Sequence, residues 1–281
     1  MTIGVVGLGL MGGSLAQAAR AAKTAPPHRV LGADRDPQTL SQALEDGTLD
    51  GVLDRESLGT CDLVILALYP QAAVEYLTRE AASLKKGAWV VDFCGVKRPV
   101  CEALEPLSLA HGFHFVGGHP MAGRERSGYG AATPGLFGGA SMVLTPHDDT
   151  PGQVLGGLEE FFLSLGFGRI LCTDPATHDR MIAYTSQLAH VLSNAYIKSP
   201  ASLTHKGFSA GSFQDLTRVA RLNPAMWTQL FLDNRDFLVQ EIDQLCQRLT
   251  AYGDALEAGD GEELFRLLQE GNDWKIRSED L

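Results

Sequence analysis

No two cysteines in this chain are spaced as CxxC, and the five present (Cys61, Cys94, Cys101, Cys172 and Cys246) are odd in number. That does not support a disulfide framework or a zinc knuckle, and reduced thiols in a cytoplasmic protein are the expectation. No run approaches the roughly 18 uninterrupted apolar residues that a spanning helix needs. No basic segment precedes the first apolar run, as one would in a secretory signal. An HExxH motif and dense His/Cys/carboxylate clusters are missing, so no metal site is expected. Basic residues are also in deficit. The net charge of −11 argues against a nucleic-acid surface and against an anionic membrane as partner. Internal repeats and low-complexity tracts are absent. The remaining picture is a soluble chain of 281 residues, 44% apolar and 20% charged, long enough for two domains with real cores. If its ligand is an anion, local Arg or Lys side chains must overcome the global field.

What is there begins at the N-terminus. An apolar run, Ile3 to Val6, leads into Gly7-Leu8-Gly9-Leu10-Met11-Gly12, and an alanine-rich stretch of helical character follows from Gly13 to Ala22. Strand, glycine turn and helix in that order make a dinucleotide site. Gly7 permits the sharp turn, Gly9 lets backbone approach a pyrophosphate, and Gly12 lets helix and strand pack closely. The helix N-terminus then presents free N–H groups and a positive dipole end to the phosphates. Asp34 lies about twenty residues beyond Gly12, at the end of a second strand read over Arg29–Ala33. From there a carboxylate accepts hydrogen bonds from ribose hydroxyls and repels a 2′-phosphate, which favours NAD over NADP. Its alternative role is helix capping near Asp36-Pro37. Arg35 beside it keeps NADP open.

Strand-like and helix-like segments continue to alternate. Helices are read over Pro37–Glu45 and Pro70–Ser83, and strands over Asp62–Leu68, Ala88–Val91, Phe113–Val116 and Ser141–Leu144. A helix over about Val154–Leu165 and a strand over Arg169–Leu171 close this part. The apolar strands predict an α/β fold, a Rossmann-type doubly wound parallel sheet over residues 1–172. After Pro175 strand signals stop. Helical patterns over about 176–197, 210–221, 224–251 and 260–270 predict an all-helical domain over 173–281. Within 224–251, Trp227, Phe231, Leu238, Ile242, Leu245 and Leu249 form one apolar face and Met226, Leu230 and Phe237 a second. Such a helix is deeply buried or shared with another subunit.

Gly117-Gly118-His119-Pro120-Met121-Ala122-Gly123 follows the Phe113–Val116 strand directly, where ligands bind in open α/β sheets. Pro120 restricts His119 to extended backbone angles, and imidazole suits proton transfer near neutral pH. Arg124, Glu125 and Arg126 form a charged loop that is either solvated or lines a polar pocket. Arg218 is a candidate carboxylate clamp, with an ion pair to Asp215 as its plain alternative. His178 and His190, twelve residues apart on one helix, read singly as solvated or satisfied core histidines.

The segments VVGLGLMGGSLA, VDFCGVK, GGHPMAGRERSG, His178-Asp179 and DLTRVARLNPAMWTQLFLDN together resemble the prephenate and arogenate dehydrogenases of tyrosine biosynthesis, over nearly the whole chain. The resemblance implies a nucleotide-binding domain joined to a helical dimerisation domain, hence a homodimer acting on a small anionic substrate. It implies that His119 accepts the proton of the substrate's ring hydroxyl while hydride leaves C4 and the ring carboxylate departs as carbon dioxide. It places Arg218 on a substrate carboxylate, Glu125 and Asp215 in a charged network with it, His190 in the pocket, and Trp227 nearby. This chain has Gly95 where many members have a serine that touches the catalytic histidine, leaving water, Cys94 or Lys97 to supply that contact. It has Arg124 where a threonine is common, and Ser186-Gln187-Leu188-Ala189-His190 where a first histidine and a proline are usual.

The expected activity is NAD-dependent oxidative decarboxylation of prephenate to 4-hydroxyphenylpyruvate. The alternative is arogenate, giving tyrosine, or use of both. A hydroxyacid dehydrogenase would need a lysine within the long helix, whereas Lys198 and Lys206 lie at or past its end. A nucleotide sensor without catalysis draws on Gly95. No appended regulatory or chorismate mutase domain is expected after the last helix.

Overall fold

The computed structural model describes residues 1–124 and 126–279. Strands β1 (Thr2–Val6), β2 (Arg29–Ala33), β3 (Gly51–Val52), β4 (Leu63–Leu66), β5 (Trp89–Asp92), β6 (His114–Pro120), β7 (Ser141–Pro146) and β8 (Arg169–Cys172) form one sheet in the order β3-β2-β1-β4-β5-β6-β7-β8. Alternation along the strands sorts side chains into two layers. Ile3, Val5, Leu63 and Ile65 enter the core on one face. Val6, Val64, Leu66 and Val90 enter the core on the other. All these side chains are essentially excluded from solvent, each worth about 1.5–3 kcal/mol on burial.

Helix α1 (Leu10–Ala21) covers the first face, and there the glycine loop makes close packing possible. Gly7 has φ 88°, and a Cβ on Gly12 would lie 1.9 Å from the Gly7 carbonyl oxygen, so only glycine fits at Gly12. Helices α2 (Pro37–Glu45), α3 (Arg55–Leu58), α4 (Pro70–Glu80) and α5 (Arg98–His111) follow, and α6 (Gly152–Ser164) comes after β7. Capping is local chemistry. Asp36, followed by Pro37 at the first helical position, accepts the Gln38 N–H at 3.1 Å.

Six strands, β1 to β6, run parallel as expected, but β7 pairs antiparallel with β6, with His119 opposite Val143. β8 is parallel to β7. The doubly wound sheet is thus parallel throughout except at the β6–β7 pairing. Among the described residues no crossover helix separates β6 from β7, only a loop with one short 3₁₀ turn at Tyr129–Ala131. Without a crossover the chain must re-enter the sheet at the end where it left. The loop after His119 is thereby held at the ligand-binding edge of the parallel strands. Its far end is pinned by the Tyr129 hydroxyl, which donates to Asp46 at 2.7 Å.

Beyond β8 only helices occur among the described residues: α7 (Pro175–Ile182), α8 (Ala189–Tyr196), α9 (Gly211–Thr217), α10 (Pro224–Asp233), α11 (Arg235–Ala258) and α12 (Gly261–Glu279). Two continuous helices read from the sequence are interrupted. A π segment, Ala183–Leu188, lies between α7 and α8. The span 224–251 breaks at Asn234, whose φ of −126° leaves the helical region. The side chain explains the break. Asn234 is fully buried, donating to the Asp179 carbonyl and to Gln187 Oε1, each at 2.8 Å, and accepting from Arg98 at 2.9 Å. Three buried hydrogen bonds offset the lost helical pairing. Of the two predicted apolar faces, Leu238 is buried, only Leu249 is exposed and the rest are half-buried, whereas Leu232, Val239, Leu256, Phe265 and Trp274, outside those faces, are more than half exposed. No helix among the described residues is long and apolar enough to cross a membrane.

Candidate active site

The C-terminal ends of β1, β2, β4, β5 and β6 lie along one edge of the sheet. At its β1 side, Asp34 accepts the Leu8 N–H at 2.6 Å and the Asp36 N–H at 2.9 Å. Asp36, not Asp34, is thus the helix cap. Leu8 was a candidate cofactor contact, but its side chain lies in the core and its N–H is committed to Asp34. Leu10 and Met11 open α1 and stay partly exposed. No side chain caps that helix. A Cβ on Gly9 would meet nothing within 4 Å, so open space faces an uncapped helix N-terminus. A pyrophosphate fits that cradle on backbone N–H groups alone, and Asp34 keeps unused lone pairs for ribose hydroxyls. Arg35 is exposed beside it.

His119 ends β6, and its position is set from beneath. Lys97 and Asp92, both fully buried, form an ion pair. Lys97 Nζ donates to the Gly118 carbonyl at 2.6 Å, and the Gly118 N–H donates to Asp92 at 3.2 Å. The backbone entering His119 is therefore clamped from both sides. Burial disfavours the Lys97 ammonium, but Asp92 outweighs it and keeps the group charged.

The ring of His119 has a definite partner. Its Nδ1 lies 2.9 Å from Nε2 of His178, and His178 Nδ1 lies 2.7 Å from Asp179 Oδ1. Asp179 is fully buried and also accepts the N–H groups of Lys97 at 2.7 Å and Arg98 at 2.9 Å. Burial would raise the Asp179 carboxyl, yet the hydrogen bonds from His178, Arg98 and Lys97 lower it, so it is ionised. An ionised Asp179 demands a proton on His178 Nδ1, leaving His178 Nε2 as an acceptor. His119 Nδ1 must then donate, and its Nε2 carries the lone pair. Both rings are held neutral. Burial, His178 and the Lys97 charge keep His119 well below its ordinary value of 6.5. Burial lowers His178 too, against the pull of Asp179.

Two of the groups expected to stand in for a side chain at Gly95 are engaged elsewhere. Lys97 is occupied by Asp92 and Gly118, while the Cys94 thiol points to the Leu68 carbonyl at 3.5 Å and burial pushes it far up. Neither hydrogen-bonds His119, whose ring partner is His178. A Cβ on Gly95 would meet only Leu230, at 3.4 Å.

The helical side contributes the rest. His190 Nδ1 donates to the Ser186 carbonyl at 2.8 Å, and its ring lies on Trp227 with centroids 4.0 Å apart. Burial, together with the charge of Arg218, lowers its pKa. Arg218 lines a cavity of about 580 Å³ with Arg126, Ser127, Arg221 and Asn223. Arg124 is exposed on the loop and does not line that cavity. Asp215 is exposed on α9, and among the described residues no ion pair joins it to Arg218. Glu125 lies outside the described residues. Among the described residues no group of three or more His, Cys, Asp or Glu side chains is arranged to hold a metal ion.

Arg98 joins the two halves. Its guanidinium holds Asp236 through two contacts of 2.8 and 2.6 Å, Asn234 at 2.9 Å and Asp179 at 3.2 Å, and lies 4.2 Å from the ring centre of Phe237. His178 therefore meets His119 because Arg98 and Asp179 fix α7 and the start of α11 against α5. Single-residue reasoning undervalued His178, Asp179 and Arg98. The only signal was the adjacent His178-Asp179 pair just inside a helix start.

A dinucleotide cradle, a neutral imidazole with its free nitrogen set by a buried carboxylate, and an arginine-lined cavity define a nucleotide-dependent oxidoreductase. Comparison with known proteins makes this specific. The family model "Prephenate dehydrogenase, nucleotide-binding domain" matches residues 16–171, and "Prephenate dehydrogenase, dimerization domain" matches residues 174–270. The chain belongs to the prephenate dehydrogenase family. It is 30% identical to the prephenate dehydrogenase of Bacillus subtilis, over 98% of this chain and 75% of that protein. It is also 30% identical to the cyclohexadienyl dehydrogenase of Zymomonas mobilis, over 95% of this chain and 92% of the relative. Among solved structures, arogenate dehydrogenase of Synechocystis superposes with a TM-score of 0.83 at 30% identity, over 99% of this chain and 100% of that one. Prephenate dehydrogenase of A. aeolicus, in complex with hydroxyphenyl propionate and NAD+, superposes with a TM-score of 0.86 at 26% identity, over 99% and 98%.

Proposed function

We propose that this protein catalyses the NAD-dependent oxidative decarboxylation of prephenate to 4-hydroxyphenylpyruvate. The observation that carries the reading is the His119–His178–Asp179 chain, which leaves a neutral imidazole nitrogen at the end of β6 with its lone pair free. Gly9, Leu10 and Met11 hold the pyrophosphate through backbone N–H groups, and Asp34 holds the ribose, favouring NAD over NADP. Bound NAD supplies the hydride acceptor. His119 Nε2 takes the proton of the C4 hydroxyl as the C4–H bond breaks and a carbonyl forms. The ring carboxylate then leaves as carbon dioxide, and its bonding pair makes the ring aromatic. The phenolate oxygen recovers its proton from His119, so the residue ends as it began. Arg218 anchors a substrate carboxylate against the acidic field of the chain. His178 and Asp179 are positioning residues, acting through His119. The domain over 174–270, with its exposed apolar side chains, pairs two copies as a homodimer.

Arogenate, which carries an amino group in place of the side-chain keto group, is the second reading, favoured by the likeness to the Synechocystis enzyme. A steady-state assay of prephenate and arogenate with NAD and with NADP decides. Preferred turnover of prephenate with NAD is expected, and turnover of neither substrate would reject the enzymatic reading.

A further inference from the structure

The cavity beside Arg218 holds two guanidinium groups to which the mechanism so far gives no task. Arg126 comes from the loop after β6, Arg221 from the turn after α9, and both line the same volume of about 580 Å³. Neither makes a hydrogen bond or ion pair with another described residue, in a chain whose net charge is −11. Several cations elsewhere in the nucleotide-binding half are paired with carboxylates. Arg20 meets Asp50, Arg55 and Arg79 meet Glu80, Lys85 meets Asp62 and Lys97 meets Asp92. Asn223 also lines the cavity and caps α10, accepting the Met226 N–H at 3.2 Å. The positive end of that helix therefore opens on the same space and adds to its affinity for negative charge.

We propose that Arg126 and Arg221 form a second anion subsite next to Arg218, one that takes the side-chain carboxylate of a doubly negative keto acid and discriminates against the corresponding amino acid. The inference rests on the reading of His119 and Arg218 given above and adds the substrate's charge class to it. Two physical points assign the carboxylate. The ring carboxylate loses its charge on leaving, so a cluster of guanidinium groups tight around it would stabilise the ground state against the transition state. The side-chain carboxylate keeps its charge throughout, so binding it strongly costs nothing in the chemical step. A neighbouring ammonium would face the guanidinium groups of Arg126 and Arg221 and be repelled, whereas a keto oxygen accepts hydrogen bonds from them.

The test measures Arg126→Gln, Arg221→Gln and the double variant with prephenate and arogenate, and titrates each by calorimetry with 4-hydroxyphenylpyruvate and with L-tyrosine. Each single change should weaken prephenate kcat/KM and 4-hydroxyphenylpyruvate affinity by roughly 10–100-fold, the loss expected for charged hydrogen bonds, with the larger share in KM. Arogenate and tyrosine should lose less, so the keto-to-amino ratio narrows. Arg126→Lys, which keeps the charge, should recover part of the loss. Equal losses on keto and amino ligands would overturn the discrimination, and unchanged values for all ligands would overturn the subsite. If the unmodified enzyme turned over neither substrate, the functional reading would fail instead. The calorimetric comparison would still judge the subsite, since 4-hydroxyphenylpyruvate binding must then depend on Arg126 and Arg221 or the proposal is wrong.

Discussion

Replacing Asp179 by asparagine changes one atom's chemistry in a buried carboxylate and should nearly abolish turnover. Asp179 Oδ1 accepts from Lys97 N–H and His178 Nδ1, and Oδ2 accepts from the N–H and Nε of Arg98. An amide presents one NH2 group, and either orientation sets it against donors. Facing Arg98, it opposes two N–H groups that have no other orientation. Facing His178, it reverses the tautomer: His178 Nδ1 becomes the acceptor, Nε2 carries hydrogen, and His119 Nδ1 must accept. The proton of neutral His119 then sits on Nε2, where the mechanism needs a lone pair. Loss of general-base catalysis is worth about 10²–10⁴ in rate, or about 3–5 kcal/mol at 1.36 kcal/mol per tenfold. The stranded donors cost stability as well, about 1–3 kcal/mol each. The assay is therefore kcat for prephenate, with near-ultraviolet dichroism to confirm packing and an NAD titration. NAD binding should stay within about twofold, since the glycine loop shares no partner with Asp179. A folded Asp179→Asn variant that keeps wild-type kcat and pH profile would refute the tautomer argument.

Four further outcomes follow from the same geometry. His119→Asn should lower kcat by several orders of magnitude with NAD affinity retained; near-normal turnover would remove it as the base. Asp34→Asn keeps an acceptor for the Leu8 N–H but drops the charge, so the NADP-to-NAD ratio of kcat/KM should rise about tenfold or more. An unchanged ratio would mean that Asp34 does not face the ribose. Gly95→Ser should be tolerated, with thermal stability changed by no more than about 1 kcal/mol, because its Cβ meets only Leu230 at ordinary contact distance. A large drop in Tm would contradict that packing. Finally, His119, His178 and His190 all titrate below their ordinary value of 6.5 in the folded chain. Below pH 6.5 the unfolded chain takes up protons that the folded one refuses, so stability should fall as pH drops from about 6.5 towards 5. Denaturant midpoints measured across that window should show the loss, and substituting His178 should flatten it.

Much of the nucleotide half was legible because its signals are local. Gly7, Gly9 and Gly12 follow an apolar strand at fixed spacing, and β2 and α2 fall on the residues expected from apolar runs and Asp36-Pro37. The reversal of β7 was not legible, because pairing direction depends on where a long loop returns. Asn234 was missed for a related reason. Its neighbours Phe231 and Leu238 keep helical spacing, and only partners remote in sequence, Arg98, Asp179 and Gln187, make a break worthwhile.

The amino-acid sequence by itself determined the order of strands and helices, the glycine turn and the placement of His119 at a strand end, since each depends on a few consecutive residues and their backbone preferences. Only tertiary structure decided which nitrogen of His119 is basic, that His178 rather than Gly95, Cys94 or Lys97 is its neighbour, and that Arg126 and Arg221 meet Arg218 around one cavity. Those facts join residues far apart along the chain, 59 positions from His119 to His178 and 92 from Arg126 to Arg218. Charge, tautomer and burial at such sites are fixed by neighbours that assemble only when the two halves pack together.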